Sequence, residues 1–410
     1  MTDPSDATPE LQHYSDPQRS AVPGSGVVER TGSPSAGKRG RVAGRQFDVL
    51  VIGSSPILLI EALYQRQQGR SVAVIEKRSQ MGGAWYSRSL WNRGGVEVGC
   101  HYIDRTKRCY GFLAELLNLD LQPQDRQVMW QPYTDRLESS VRAVVQQMGS
   151  YVMGGRLLSR NLWDIAQSFK GGRVHLLPRR LYHLVARRPH LYPSNGCSAI
   201  VAALDRNVRA SGIEILYGHC VDGVELAEEG GWTTCVVGSQ RCQTRMLITG
   251  QNEIFHISVN GQRLGLQRQV KPFVHVVLRI RGRKSRPFTY IDVAGNRLLK
   301  RVVDVTGYST PDDPTLPSDL ILCCQISDNP SQLDRCPTAI FDYLKTLNLL
   351  NKEAELLDSV VEKYPATTSR LDSEINRLDA SLPGSIRIMK TWDLALGIDL
   401  YHDRWKSLLH

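Results

Sequence analysis

Apolar residues first gather in short, separated runs. Phe47 to Ile52 is continuous, rich in β-branched side chains and closes on Gly53; Ser71 to Ile75 is a second such run with Glu76 at its end. Both read as buried parallel strands. Between them Leu59, Ala62, Leu63 and Arg66 recur at helical spacing, after a proline, Pro56, suited to a first turn and before Gly69, which stops the helix. Strand, turn, helix and strand with an acid at the tip form a βαβ unit suited to a dinucleotide. Glycines let backbone N–H groups reach a pyrophosphate at the helix N-terminus, and an acid roughly 20 residues on accepts from ribose hydroxyls. Gly53 and Glu76 meet those two demands. Ser55 and Leu58 stand where G-x-G-x-x-G would place its other glycines, so an ordinary parallel unit without ligand stays open on this stretch alone.

Further on, Met81-Gly82-Gly83-Ala84-Trp85 offers a second close backbone approach, and Gly94 to Ile103 reads as a glycine-flanked strand containing Gly99 and His101. A helix is expected over Tyr110 to Leu119 with Phe112, Leu116 and Leu119 on one face. Residues 120 to 190 show no βαβ rhythm. Turn formers at Tyr192 to Ser198 precede a helix carrying Ile200, Leu204 and Val208, which Gly212 ends. Strand pieces follow at Ile213 to Leu216, Val221 to Leu226, Cys235 to Val237 and Met246 to Thr249. From Val270 the pattern alternates, with Val274, Val276, Leu278 and Ile280 on one side. A hairpin is expected over Tyr290 to Val305, a strand at Leu320 to Ile326, and a helix with Ile340, Leu344 and Leu347 on its core stripe.

In this order the motifs resemble the flavin-binding superfamily of amine oxidases, protoporphyrinogen oxidases and UDP-galactopyranose mutases. The matching residues are the βαβ unit with its Gly-Gly pair, then Tyr192-Pro193 through Val221, then Met389 to Ile398 with Asp393 at a helix start. The resemblance implies an α/β glutathione-reductase-like FAD-binding Rossmann domain with an inserted α+β substrate domain. It divides the chain into FAD-binding segments at 46–119, 191–255 and 381–410 and substrate segments at 120–190 and 256–380. It implies FAD as cofactor, held by Gly53, Ser55, Pro56, Glu76, Gly82, Gly83, Ala84, Trp85, Val221 and Asp393, and points to His101 beside the flavin as a candidate catalytic residue. Trp392 replaces the small residue usual before the acid, and Tyr364-Pro365 resembles an element of the mutase-like branch.

The chain's 410 residues suffice for two domains, and 41% hydrophobic with 22% charged residues is ordinary for a globular protein. Residues 1 to 45 are rich in Ser, Pro, Gly, Asp and Arg without periodicity and read as a disordered basic extension. No apolar run reaches the roughly 18 residues of a membrane span and no export leader is evident, so a cytoplasmic protein is expected. Nine scattered cysteines without C-x-x-C fit a reducing compartment. The net charge of +10 comes with no nucleic-acid motif, which leaves solvated faces or a pocket for a phosphorylated or otherwise anionic small molecule. The histidines are dispersed, so no metal site is expected, and Gly53-Ser54-Ser55 lacks the closing glycine of a nucleophile elbow. Three functions follow: an FAD-dependent oxidoreductase on a small molecule, a mutase-like flavoenzyme on a nucleotide sugar, or a flavoprotein fold without turnover acting as a binding component.

Overall fold

The structure, a computed structural model, describes residues 42–103, 107–124, 126–130, 190–226, 231–251, 253–254, 257–263, 270–294, 299–311, 319–326, 336–367, 372–391 and 394–409. Its strands are β1 (Gln46–Ile52), β2 (Val72–Glu76), β3 (Ser87–Leu90), β4 (Arg93–Glu97), β5 (Leu121–Gln124), β6 (Arg126–Trp130), β7 (His190–Pro193), β8 (Glu214–Tyr217), β9 (Gly223–Leu226) and β10 (Thr233–Val237). There follow β11 (Gln240–Gly250), β12 (Ser258–Val259), β13 (Gln262–Arg263), β14 (Val270–Arg281), β15 (Tyr290–Ala294), β16 (Leu299–Asp304), β17 (Thr310–Pro311), β18 (Leu320–Ile326), β19 (Glu355–Thr367) and β20 (Ile386–Met389). The helices are α1 (Pro56–Gln67), α2 (Lys107–Leu117), α3 (Gly196–Ala210), α4 (Cys336–Thr346), α5 (Asp372–Ser381) and α6 (Leu394–Trp405).

The fold is mixed α/β. Strands β20, β11, β1, β2 and β8 lie side by side, every pair parallel. The first half of β11 pairs antiparallel with β10, which pairs with β9, and β12 and β13 carry this sheet on to Arg263, past residue 255. Helices α1, α2, α3 and α6 cover one face around Ile57, Phe112, Ile200 and Ile398, while Leu50, Ile75, Val224 and Ile388 fill the other. Burial on both faces explains why β1 and β2 read as unbroken apolar runs. The second sheet has the order β19-β14-β18-β16-β15-β6, and β17-β4-β3 is a small third. Along β14, Val274, Val276, Leu278 and Ile280 face α4, and Val277 faces the opposite way onto Cys323 and Tyr290. That alternation is the period of two seen in the sequence.

Helix α1 starts at Pro56 in the first turn, with Ser55 extended at the N-cap, and Gly69 ends it at φ +78°. Its residues from Pro56 to Leu63 are all buried, so the acid among them, Glu61, requires partners. Most come from the other end of the sequence. Arg404 donates to both carboxylate oxygens at 2.5 and 3.1 Å, Trp405 Nε1 donates at 2.7 Å, and Gln65 adds a bond at 2.5 Å. Gly397 of α6 lies on Ile57, where a Cβ would come within 2.7 Å of Ile57 Cδ1, so the Ile57 side chain packs directly on the α6 backbone at that point.

Two elements differ from expectation. Helix α2 stops at Leu117 because Asn118 turns left-handed at φ +48°, and its buried stripe is Cys109, Phe112, Leu113 and Leu117 rather than one through Leu116 and Leu119. The expected strand over Gly94 to Ile103 is strand only as far as Glu97; Val98 to Ile103 form an irregular loop.

Candidate functional site

The carboxyl ends of β1 and β2 carry the candidate site, where open α/β sheets bind ligands. Gly53 leaves β1 at φ +92° and its N–H donates to the Ile75 carbonyl at 2.8 Å. Leu58, in the third glycine position, packs on Gly53, where an added Cβ would lie a tight 3.3 Å from Leu58 Cδ1. Ser54 joins three pieces. Its hydroxyl donates to Glu76, and the Gly82 N–H donates to the Ser54 carbonyl and hydroxyl, both at 3.1 Å. Glu76 also accepts from the Arg78 N–H at 2.9 Å, and the Arg78 guanidinium reaches the Gly83 carbonyl at 2.9 Å while lying over the Tyr86 ring. Gly82 (φ +118°) and Gly83 (φ +58°) take backbone conformations that favour glycine, and Gly83 rests on Ser55, with an added Cβ 3.2 Å from Ser55 Cα.

Ala84 and Trp85 continue this turn toward His101. The His101 imidazole stacks on Trp85 (centroids 4.7 Å apart, planes at 17°) and hydrogen-bonds the Ala84 backbone. It folds back across Gly99, where a Cβ would stand 2.5 Å from Nε2. Burial, and then the charge of His275, hold it down to about 3, so it is neutral at physiological pH. Val221 is buried in the loop before β9, not in the strand, and the same loop reaches Glu76 through His219 N–H to the Glu76 carbonyl at 3.3 Å. The structure thus brings together Gly53, Ser55, Pro56, Glu76, Gly82, Gly83, Ala84, Trp85 and His101, with the Val221 loop alongside. Asp393, with Trp392, lies outside the described residues.

Ser54, Arg78 and Glu253 are partners that the motif does not name. The Glu253 carboxylate lies against Gly53 and Gly250, and at Gly250 it uses the space that a Cβ would take. A second polar group lies behind His101: Cys100, Cys323, His275 and Arg301, the last over the Tyr102 ring at 5.2 Å and bonded to Asp292 at 3.3 Å. Burial alone would lower Arg301, but Tyr290, Tyr102, Asp292 and Cys100 outweigh it, and the guanidinium stays charged. Among the described residues no group of three His, Cys, Asp or Glu is placed to hold a metal ion, and no helix is long and apolar enough to cross a membrane.

The residues fit a dinucleotide. Gly53 and Ser55 are only half-buried at the start of α1, the Ser55 N-cap makes no side-chain cap bond, and its buried Oγ has no hydrogen-bond partner. The first turn of α1 contains no acid. Among the described residues, the Glu253 carboxylate lies against Gly53 and would oppose a diphosphate there.

Comparison with known proteins bears on the same elements. The profile of the NAD(P)-binding Rossmann-like domain family matches residues 51–116, from β1 into α2. Cyclohexylamine oxidase from Brevibacterium oxydans IH-35A superposes with a TM-score of 0.58 at 13% identity, covering 88% of this chain and 98% of its own. A protein of Exiguobacterium sp. 255-15 assigned as protoporphyrinogen oxidase gives a TM-score of 0.57 at 11% identity, over 90% and 99% of the two chains. The chain has the amine-oxidase fold. Putrescine oxidase in complex with putrescine shares it too, with a TM-score of 0.52, 16% identity and coverage of 89% and 99%. No curated protein matches the chain in sequence. At these identities the amine-oxidase fold is what is shared, and it places the βαβ unit and the six-stranded sheet in one architecture with those oxidoreductases.

Proposed function

We propose that the chain is an FAD-dependent oxidoreductase acting on a small, anionic molecule. The observation that carries this reading is the convergence of the left-handed Gly53, the uncapped Ser55, the Glu76 carboxylate and the Gly82–Gly83 turn at one end of a parallel sheet. Gly53, Ser55 and Pro56 would receive the diphosphate at the α1 N-terminus, Glu76 would accept from the adenosine ribose, and Gly82 to Trp85 with the Val221 loop would enclose the rest. Two-electron transfer is the chemistry FAD supplies when bound; the protein contributes position, electrostatics and exclusion of water. His101, neutral and stacked on Trp85, stiffens the turn that follows Gly83. Arg301 lies near it, charged and paired with Asp292, and would favour a carboxylate or phosphate on the substrate. The purified protein is expected to show the paired near-ultraviolet and blue absorption bands of flavin, or to acquire them on incubation with FAD, and to bleach with a suitable anionic donor. A colourless protein that takes up no FAD would leave only the binding-component reading.

Glu253 gives a second measurement at the same site. Replacing it by glutamine removes the carboxylate beside Gly53 while keeping the side chain's size, so FAD is expected to bind about tenfold more tightly, near 1.4 kcal/mol. Flavin-fluorescence quenching titrations on both proteins read the ratio; equal affinities would mean that the acid swings clear when the nucleotide enters.

A further inference from the structure

We propose that Cys100 and Cys323 form a reversible dithiol–disulfide couple, oxidised by a small hydroperoxide and reduced by a small dithiol, which leaves as its own disulfide. Their sulfurs are 3.8 Å apart, with the Cys100 thiol donating to the Cys323 carbonyl at 3.3 Å. A disulfide needs about 2.05 Å, so the sulfurs must close by under about 2 Å. Cys323 sits in the middle of β18, hydrogen-bonded on both sides and fixed. Cys100 sits in the irregular loop between Gly99 and His101, where a side-chain rotation and a small backbone shift bring it over. The neighbouring Cys324 points to the opposite face of β18, into the core under α4, and cannot take part.

The surroundings suit a reactive thiolate. His275 hydrogen-bonds Cys100, and the Arg301 guanidinium is near. Burial pushes the Cys100 thiol up, but the hydrogen bond with Cys323, the His275 imidazole and the Arg301 charge together bring it down to about 6. Cys323, by contrast, is raised by burial and by its Cys100 neighbour and stays a thiol. The roles therefore divide: Cys100 attacks, Cys323 resolves. The Cys100 thiolate forms an S–O bond to the hydroperoxide as the O–O bond breaks, giving a sulfenic acid and hydroxide, or alkoxide from an organic hydroperoxide. The Cys323 sulfur then attacks the Cys100 sulfur, the S–S bond forms as the S–O bond breaks, and hydroxide leaves with the Cys323 proton as water. With hydrogen peroxide, two thiols and one oxidant molecule give one disulfide and two waters. The couple locks the His101 loop to the six-stranded sheet, beside the polar group that contains Arg301.

The test uses the full chain, treated with hydrogen peroxide under native conditions, then quenched, denatured and alkylated with iodoacetamide. A peptide pair linked Cys100 to Cys323, lost on dithiothreitol treatment, is expected, with alkylation of both falling about fivefold or more while Cys324 in the same peptide stays alkylated. In Cys323→Ser, confirmed as folded by circular dichroism, dimedone is expected to trap a sulfenic acid on Cys100. Undiminished alkylation of Cys100 and Cys323 in the wild type overturns the proposal. So does a link formed only between Cys235 and Cys242, which face each other across β10 and β11, and so does a folded Cys323→Ser protein whose Cys100 gains no dimedone.

Discussion

Glu61→Ala is expected to destabilise the protein by about 3–5 kcal/mol, the cost of removing one member of a buried ion pair. The loss has two parts. The Trp405 N–H and the Arg404 guanidinium, which donate to Glu61 at 2.7 Å and at 2.5 and 3.1 Å, are left without their acceptor. A void also opens among the residues of α1, nearly all of which are buried. Glu61→Gln preserves an acceptor for Trp405 and most of the volume, and since Arg404 retains 28% side-chain exposure its charge can turn to water; its cost is expected at roughly half. Urea denaturation monitored by tryptophan fluorescence gives both numbers. A Glu61→Ala protein within about 1 kcal/mol of wild type would mean that the α1–α6 contact rests on Ile57 and Gly397 packing alone.

The second large effect is a pH dependence of unusual sign. Glu97 is fully buried at the end of β4, where it accepts from the Cys197 N–H at the start of α3 and from the Tyr192 hydroxyl at 3.1 and 3.2 Å. Gly196, at φ +70°, permits the approach. Burial raises the carboxyl to about 7 from 4.5, outweighing those hydrogen bonds. An acid raised on folding keeps a proton that the unfolded chain has lost, so its contribution is fully present below 4.5 and falls away as pH climbs to about 7. The change corresponds to about 3 kcal/mol. Glu97→Gln keeps the acceptor for Cys197 and offers Tyr192 an N–H, but has no charge to bury. The variant is therefore expected to gain about 3 kcal/mol relative to wild type between pH 4.5 and pH 8. Urea midpoints at both pH values decide it: an unchanged difference would place Glu97 at an ordinary carboxyl value.

Much of the parallel sheet was legible because its strands are buried on both faces and so appear as unbroken apolar runs, and α1 because Pro56 and Gly69 mark its ends. The candidate crevice was legible where conformation demands a residue type, as at Gly53, Gly82 and Gly83. It was not legible where side chains from distant segments meet. Nothing near Glu97 announces Tyr192, 95 residues away, and nothing near Cys100 announces Cys323, 223 residues away. Leu58 in the third glycine position is another such place, because its surroundings come from the fold: its Cδ1 packs on Gly53, 3.3 Å from where a Cβ would stand.

The bond between Glu61 and Arg404 spans 343 residues of chain, which matters during biosynthesis. At about 5–20 residues per second a ribosome needs tens of seconds to travel from one to the other. β1, α1 and β2 emerge early in that interval, whereas β11, which pairs with β1, is complete only at Gly250, and β20 and α6, the latter bringing Arg404 and Trp405 to Glu61, follow only at its end. The nascent amino-terminal half therefore exposes an apolar helix carrying an unmatched carboxylate beside an open strand edge, the kind of surface that chaperones shield.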